Sequence, residues 1–326
     1  MSNINIEKLA QLANVSIGTV SKAFSGSKEI SEKTRNKIFA LAKKHDCFEK
    51  YYKAKREKKV VAVICPELKS PYYVDIVSRI EKLLNDKKVI MALYISNFEA
   101  KKETEIISYL LSSKTVDGIM IIASSTLVKF NKDVAIVAIN TSRKNSQVDC
   151  VNVAFKDTLI ETVKYLKDCG HTNIAFIGES LTKSRLNLFN IAMNENALIV
   201  NPNWIFIEKT RFEQAGKCAI DKIMQLTDKP TAIICAYDNI ALGAIDAIKK
   251  HGKSVPEDFS IIGIDDIPIS SHSNVSLTSI KSNNAVLCDI AVDLVLKKIE
   301  SKFFSLREKI NLKTELVIRD TVKKIN

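Results

Sequence analysis

Tyr72, Asn140, Arg185, Asp238 and Asp265 are side chains of the kind that holds small polyhydroxylated or heterocyclic molecules, and each follows the end of a short apolar run. Carboxylates and amides share the paired hydroxyls of a sugar, a guanidinium offers forked donors, and an aromatic face packs on a pyranose or purine ring. Ser96, Asn97, Ser124 and Ser125 follow neighbouring runs in the same way. No catalytic spacing accompanies them. The chain has no Gly-x-Gly-x-x-Gly after a strand and no P-loop, and His45, His171, His251 and His272 stand apart from any nucleophile or metal-ligand partner. Asp265 and Asp266 could together hold a metal, but adjacent loop residues rarely both point inward. A binding protein is expected rather than an enzyme, without cofactor or metal.

A second chemistry lies at the N-terminus. Leu9, Ala10, Leu12 and Ala13 give a first short helix an apolar face, and Asn14 suits the left-handed turn that ends it. Ser16 then caps a second helix whose Val20, Ala23 and Phe24 face inward. Its small and basic outer residues suit a helix entering a DNA major groove N-terminal end first, which makes Ser16, Ile17, Gly18, Thr19, Ser21, Lys22 and Ser25 the DNA-contact set. Ser31 caps a third helix, Glu32 to about His45, with Ile38, Leu41 and Ala42 on its inner stripe. Residues 1–59 carry 14 Lys/Arg against 6 Asp/Glu, and the rest 35 against 31, so most of the net charge of +12 coincides with these helices. That is a phosphate-binding footprint.

The elements behind the first set of residues alternate. Apolar runs at Val60–Cys65, Val89–Ile95, Gly118–Ile122, Val134–Ile139, Ile174–Gly178, Thr231–Ala236 and Ser260–Ile264 read as strands, and Leu312–Ile318 as a closing strand. Helical periodicity marks Tyr72–Lys87, Glu99–Ser113, Thr158–Cys169, Ser184–Asn196, Glu213–Leu226, Asn239–Lys250 and Asn284–Ser301. Unbroken apolar strands between helices imply parallel sheets covered on both faces, and ligands bind beyond the carboxyl ends of such strands. The fold class is therefore α/β: a three-helix headpiece containing a helix-turn-helix, followed by a doubly wound region too long for one core. The expected division is a headpiece at 1–46, a polar hinge connector at 47–59, and an effector and dimerisation domain at 60–326. Its lobe 1 covers about 60–156 and 283–311, and its lobe 2 about 157–282 and 312–326, with the chain crossing near Lys156 and Ser282.

The run Ala10-x-x-Ala13-Asn14-Val15-Ser16-x-x-Thr19-Val20-Ser21-Lys22, with Gly26 and Ile30-Ser31-Glu32-x-Thr34-Arg35, resembles the headpiece of the LacI/GalR family of bacterial transcription regulators. Ser70-Pro71-Tyr72-Tyr73, Val116-Asp117-Gly118-Ile119, Gly170-His171-x-x-Ile174, Asp238-x-x-Ala241-x-Gly243, Ile262-Gly263-x-Asp265-Asp266 and Leu316-Val317-x-Arg319 extend the resemblance over nearly the whole chain. It implies a cytoplasmic repressor that binds palindromic double-stranded operator DNA as a homodimer. A small-molecule effector, of the sugar or nucleoside class, would bind between two lobes like those of a periplasmic binding protein. Arg185 and Asp265 match the family's effector-contacting Arg and the first Asp of its Gly-x-Asp-Asp run.

Departures fall at Tyr237-Asp238, Ala154-Phe155 and Asn140-Thr141, where the family commonly has Asn-Asp, Asp-Asn and Asp-Arg. The aromatic expected on a lobe 2 loop is either at Arg211 or at Phe212. The family's hinge wedges a Leu into the minor groove after an Ala-Arg pair. Ala54-Lys55 would put Glu57 at that place, and the connector contains no Leu, so it is expected to neutralise phosphates without entering the groove. The heptad segment that makes some members tetrameric is not expected. The alternative is a stand-alone small-molecule receptor, which would need an export signal. The N-terminus lacks that pattern, and no apolar run approaches the roughly 18 residues of a membrane helix. Seven scattered cysteines without Cys-x-x-Cys read as reduced packing residues.

Overall fold

A computed structural model describes residues 4–25, 27, 29–48, 51, 58–124, 126, 134–141, 147–271, 276–301 and 307–325. Ser125, His272, Gly26 and the connector positions 49–50 and 52–57, Glu57 among them, lie outside the described residues.

Helix α1 (Ile6–Ala13) begins where the Asn5 side chain accepts the Lys8 N–H at 2.9 Å, and stops at Asn14, whose φ of 54° turns the chain left-handed. Helix α2 (Ile17–Phe24) starts at Ser16, and α3 (Glu32–Lys44) at Ser31, each capped by its serine hydroxyl. Leu9, Ala10, Ala13, Val20, Ala23, Phe24, Ile38 and Ala42 form one small core. Leu12 corrects the sequence reading: it is 41% exposed. Along a helix it points roughly 100° away from the centre of the Leu9–Ala10–Ala13 stripe, and two short neighbours cannot cover so wide a face. Cys47, Phe48 and Tyr51, assigned by sequence to the polar connector, instead pack on this core. The Phe24 ring lies 5.1 Å from Phe39, 5.6 Å from Phe48 and 5.6 Å from Tyr51, and the Tyr51 hydroxyl donates to the Ile4 carbonyl.

The chain forms two compact units, Met1–Val151 with Cys288–Ile310, and Asn152–Leu287 with Asn311–Asn326. In the first, β1 (Val60–Cys65), β2 (Ile90–Ile95), β3 (Gly118–Ile122), β4 (Ala135–Ile139), β5 (Asp149–Ala154) and β11 (Lys309–Lys313) make a sheet of order β11-β5-β4-β3-β1-β2. Helices α4 (Pro71–Asp86) and α5 (Ala100–Ser113) connect β1 to β2 and β2 to β3. Five of its strands run parallel, with Val61 opposite Gly118 and Met91. In the second, β6 (Ile174–Glu179), β7 (Ile205–Glu208), β8 (Ala232–Cys235), β9 (Ser260–Asp265), β10 (Thr278–Lys281) and β12 (Glu315–Val317) follow the order β12-β10-β9-β8-β6-β7, with β12 antiparallel. Its helices are α6 (Lys156–Asp168), α7 (Lys183–Glu195), α8 (Glu213–Met224) and α9 (Asp238–Lys250), and α10 (Asn284–Ser301) leads back to the first unit. This is the doubly wound architecture that the strand pattern implies.

β5, β7 and β10 are additional to the strands read from sequence, and Leu312–Ile318 is not one strand. β11 and β12 belong to different sheets, and the break falls at Thr314, whose carbonyl accepts the Thr158 hydroxyl at 3.0 Å. In each sheet the order reverses direction beside the first strand, between β1 and β3 and between β6 and β8, which is where open sheets leave a crevice.

Candidate functional site

The left-handed Asn14 lets α2 leave α1 at a sharp angle, and Ser16 Oγ accepts the Thr19 N–H at 3.0 Å. Both helices bury one face, so Ile17, Gly18, Lys22 and Ser25 are exposed, with Thr19 and Ser21 half-buried beside them. Glu7, Ala10, Gln11, Asn14, Val15, Ser16 and Ile17 line a shallow open groove at the helix-turn-helix junction. The Lys22 ammonium forms an ion pair with Glu29, a partner that sequence reasoning did not name. That hydrogen bond holds the Glu29 carboxyl below its ordinary value.

At the carboxyl ends of the first sheet, the Asn140 amide donates to the Tyr72 hydroxyl at 2.7 Å, joining two residues 68 apart in sequence. Tyr73 packs 5.4 Å from Tyr72 and 5.9 Å from Phe98, an aromatic cluster in which Phe98 is new. Ser96 is buried and Asn97 exposed. Ser124 donates inward to Glu103 at 2.5 Å and so serves the unit's interior.

At the carboxyl ends of the second sheet, Arg185 on the first turn of α7 reaches across the β6–β8 crevice. One Nη donates to the Ala236 carbonyl just after β8, and the other contacts Asp265 Oδ1 at 2.7 Å at the end of β9. The guanidinium lies 4.8 Å over the Phe155 ring, so the aromatic that replaces the family's common polar residue is part of this site. Asp265 sits at φ +107° and Asp266 at φ +53°, both in the region that non-glycine residues rarely adopt. Burial raises the Asp265 pKa and Arg185 opposes that rise.

The two other aspartates take internal roles. Asp266 turns away to Arg319 at 2.7 Å, so the adjacent pair does not share one ligand. Asp238, expected beside the effector, is buried at 1% exposure. Its carboxylate accepts from the Ser279 hydroxyl at 2.6 Å, the Ser270 hydroxyl at 2.7 Å and the Ile267 N–H at 2.8 Å. Burial, with the Asp265 charge adding to it, pushes its pKa up to about 7. A Cβ on Gly263 would fall 2.1 Å from Asp238 Oδ1, which accounts for that glycine.

Sequence reasoning missed Glu179 entirely. It ends β6 at 1% exposure, and both its oxygens accept the Arg211 Nε–H, at 3.0 and 2.9 Å. The Tyr237 hydroxyl donates to Glu179 Oε1 at 2.9 Å and accepts the Phe212 N–H at 3.1 Å. Phe212 is held at φ 57°, ψ −139°, a costly backbone for a residue with a side chain, while its ring lies under the Arg211 guanidinium at 4.6 Å. The sequence left Arg211 and Phe212 as alternatives; the structure uses both in one cluster. The available signal was a carboxylate at the end of an apolar strand.

Known proteins place this arrangement. Residues 5–47 match the model of bacterial regulatory proteins of the lacI family, and residues 163–322 that of a periplasmic binding protein-like domain. The HTH-type transcriptional repressor PurR of Histophilus somni (strain 129Pt) is 31% identical, with 98% of each chain covered. The ribose operon repressor of Haemophilus influenzae is 26% identical, over 97% of this chain and 98% of its own. The lac repressor dimer bound to operator and the anti-inducer ONPF shares the fold, with a TM-score of 0.73 at 21% identity, covering 99% of this chain and all of that one. The chain belongs to the lacI family of bacterial regulatory proteins: a transcription regulator with a helix-turn-helix headpiece and an effector-binding domain. Among the described residues no helix is long and apolar enough to cross a membrane, and no cluster of His, Cys, Asp and Glu could hold a metal ion.

Proposed function

We propose that the protein represses transcription as a cytoplasmic homodimer on a palindromic operator, and that an effector of the sugar or nucleoside class alters its grip on DNA without any catalysis. The observation that carries the DNA half is the Ser16-capped α2, which buries Val20, Ala23 and Phe24 and leaves Ile17, Gly18 and Lys22 exposed. Residues Ser16, Ile17, Gly18, Thr19, Ser21, Lys22 and Ser25 then contact DNA, Lys22 exchanging Glu29 for the duplex. The headpiece, with Cys47, Phe48 and Tyr51 packed on its core, acts as the reading module, the rest of the connector up to residue 59 as the hinge and 60–326 as the effector and dimerisation domain. Arg185 and Asp265 form the effector clamp of the second unit, and Tyr72 and Asn140 are the effector-contact residues of the first. Asp238 acts on the site through Ile267, Ser270 and Ser279, the internal donors that already take its oxygens. The PurR and ribose operon repressor names of the relatives support both the repressor role and the effector class. The purified protein should retard DNA from its own promoter region, and a thermal-shift screen of sugars and nucleosides should raise its melting temperature with the effector. Failure to retard that DNA would contradict the proposal.

A further inference from the structure

The carboxyl end of the second sheet carries an unusual number of acids, four of them matched by a cation. β6 ends in Glu179, paired with Arg211; β7 ends in Glu208, paired with Lys222 at 2.6 Å; β9 ends in Asp265, paired with Arg185; and the next residue, Asp266, is paired with Arg319. Asp238 adds a fifth, buried carboxyl, satisfied by two hydroxyls and an N–H and with no cation among its hydrogen-bond partners. Among the described residues the further cations at this end are Lys183 at the start of α7, Lys209 after β7 and Lys281 at the end of β10, all exposed, where water screens them, and Lys281 is itself paired with Glu315 at 3.3 Å. Glu213, also exposed, offsets part of their charge.

A site that binds phosphate or carboxylate needs guanidinium or ammonium charge in excess of its own carboxylates. Here both guanidiniums at the crevice are already balanced by acids with at most 7% of their side chains exposed. Bringing an anion to that place would cost desolvation, against which the second unit offers no unbalanced guanidinium and only the partial positive charge of the N-termini of α7, α8 and α9. What remains suits uncharged rings: the Arg185–Phe155 and Arg211–Phe212 stacks present flat faces, and the fixed polar edges beside them can serve hydroxyls and amides.

We infer that this end of the second unit takes an uncharged, hydroxyl- or amide-bearing ring compound and rejects its phosphorylated or carboxylated counterparts, with the Glu179–Arg211 pair enforcing the rejection. The inference rests on the effector reading given above and narrows it.

Isothermal titration of the full-length protein with matched pairs tests it: ribose and its phosphate ester, adenosine and its monophosphate, glucose and glucuronate. The expected result is that a neutral member binds at least about tenfold tighter than its charged counterpart, with a Kd that hardly changes between about 50 and 500 mM salt. Glu179→Gln removes the carboxylate charge that faces Arg211 and should shrink that ratio by raising affinity for the charged member. The salt titration of the unaltered protein gives an answer even if that variant folds poorly. Tighter binding of a charged member, or a neutral ligand whose affinity falls steeply with salt, would overturn the inference and leave the effector reading standing. Binding by no member of any pair would count against the effector reading itself, and the inference would go with it.

Discussion

Arg185 Nη2 lies 2.7 Å from Asp265 Oδ1, an ion pair joining the start of a helix to the end of a strand 80 residues later. Only the neighbouring carboxyl ends of β6, β8 and β9 bring the two together. Removing Arg185 alone would strand a buried carboxylate, at a cost of about 3–5 kcal/mol. The double variant Arg185→Ala, Asp265→Asn removes both charges and should keep a cooperative melting transition. It should bind operator DNA as the unaltered protein does while losing the effector's influence on that binding. Retention of the effector response, measured by DNA-binding titrations with and without effector, would show that the pair has a purely structural role.

Lys22 and Glu29 pair on the surface of the headpiece, so the duplex must displace a carboxylate to engage the lysine. Lys22→Ala should weaken operator binding by roughly 1–3 kcal/mol and relax the preference at one base pair of each half-site. Glu29→Gln should instead raise affinity for any duplex by freeing the ammonium. Equal losses on operator and random DNA in Lys22→Ala would make Lys22 a phosphate contact.

Packing between α8 and α9 fixes where Phe212 and Asp238 begin their helices. A Cβ on Gly243 would fall 2.0 Å from the Glu213 carbonyl oxygen, and one on Gly216 2.1 Å from that of Ile240. Neither backbone can yield without moving a whole helix. Gly243→Ala should therefore lower stability by about 3 kcal/mol in urea unfolding, at the upper end for an overpacked site. A change below about 0.5 kcal/mol, the size of a surface substitution, would contradict the close approach.

His171, which the sequence sets apart from any nucleophile or metal ligand, is buried. It meets the Thr231 and Ser260 hydroxyls at 2.9 Å and the Lys323 carbonyl at 3.0 Å. Burial lowers its pKa below the ordinary 6.5, so the unfolded chain takes up the proton first. Its contribution to stability is present above that value and is lost as the pH falls below it. Asp238 works in the opposite sense: its raised pKa costs stability as the pH climbs from 3.8 towards about 7. Urea midpoints compared at about pH 7.5 and 5.5 should show a smaller acid loss in His171→Asn than in the unaltered protein. An equal loss in both would assign the acid sensitivity elsewhere.

The helix caps and the apolar strands were legible because each depends on near neighbours: Ser16 on Thr19, Asn14 on the helix it ends, Val61 and Ile119 on an unbroken run. β10 was not legible, because Thr278, Ser279 and Lys281 carry little apolar signal and pair only through β9 and β12. β7 is a four-residue edge strand with an exposed Ile207, too short to declare a period. The effector-site candidates show the same limit. Arg185 and Asp265 came from a spaced pattern, whereas Glu179 gained meaning only when β7 placed Arg211 beside it. Asp238 stood at the right distance along the chain, yet its serine partners and Gly263 draw it inside.

Sequence-specific control of DNA by this chain is tested most directly by fluorescence anisotropy. The full-length protein would be titrated against a duplex from its own upstream region and a shuffled duplex of equal length, each with and without effector. The account predicts at least about a thousandfold preference for the natural duplex and a change in that preference on adding effector. Equal affinity for the two duplexes, or a preference that no sugar or nucleoside alters, would contradict it.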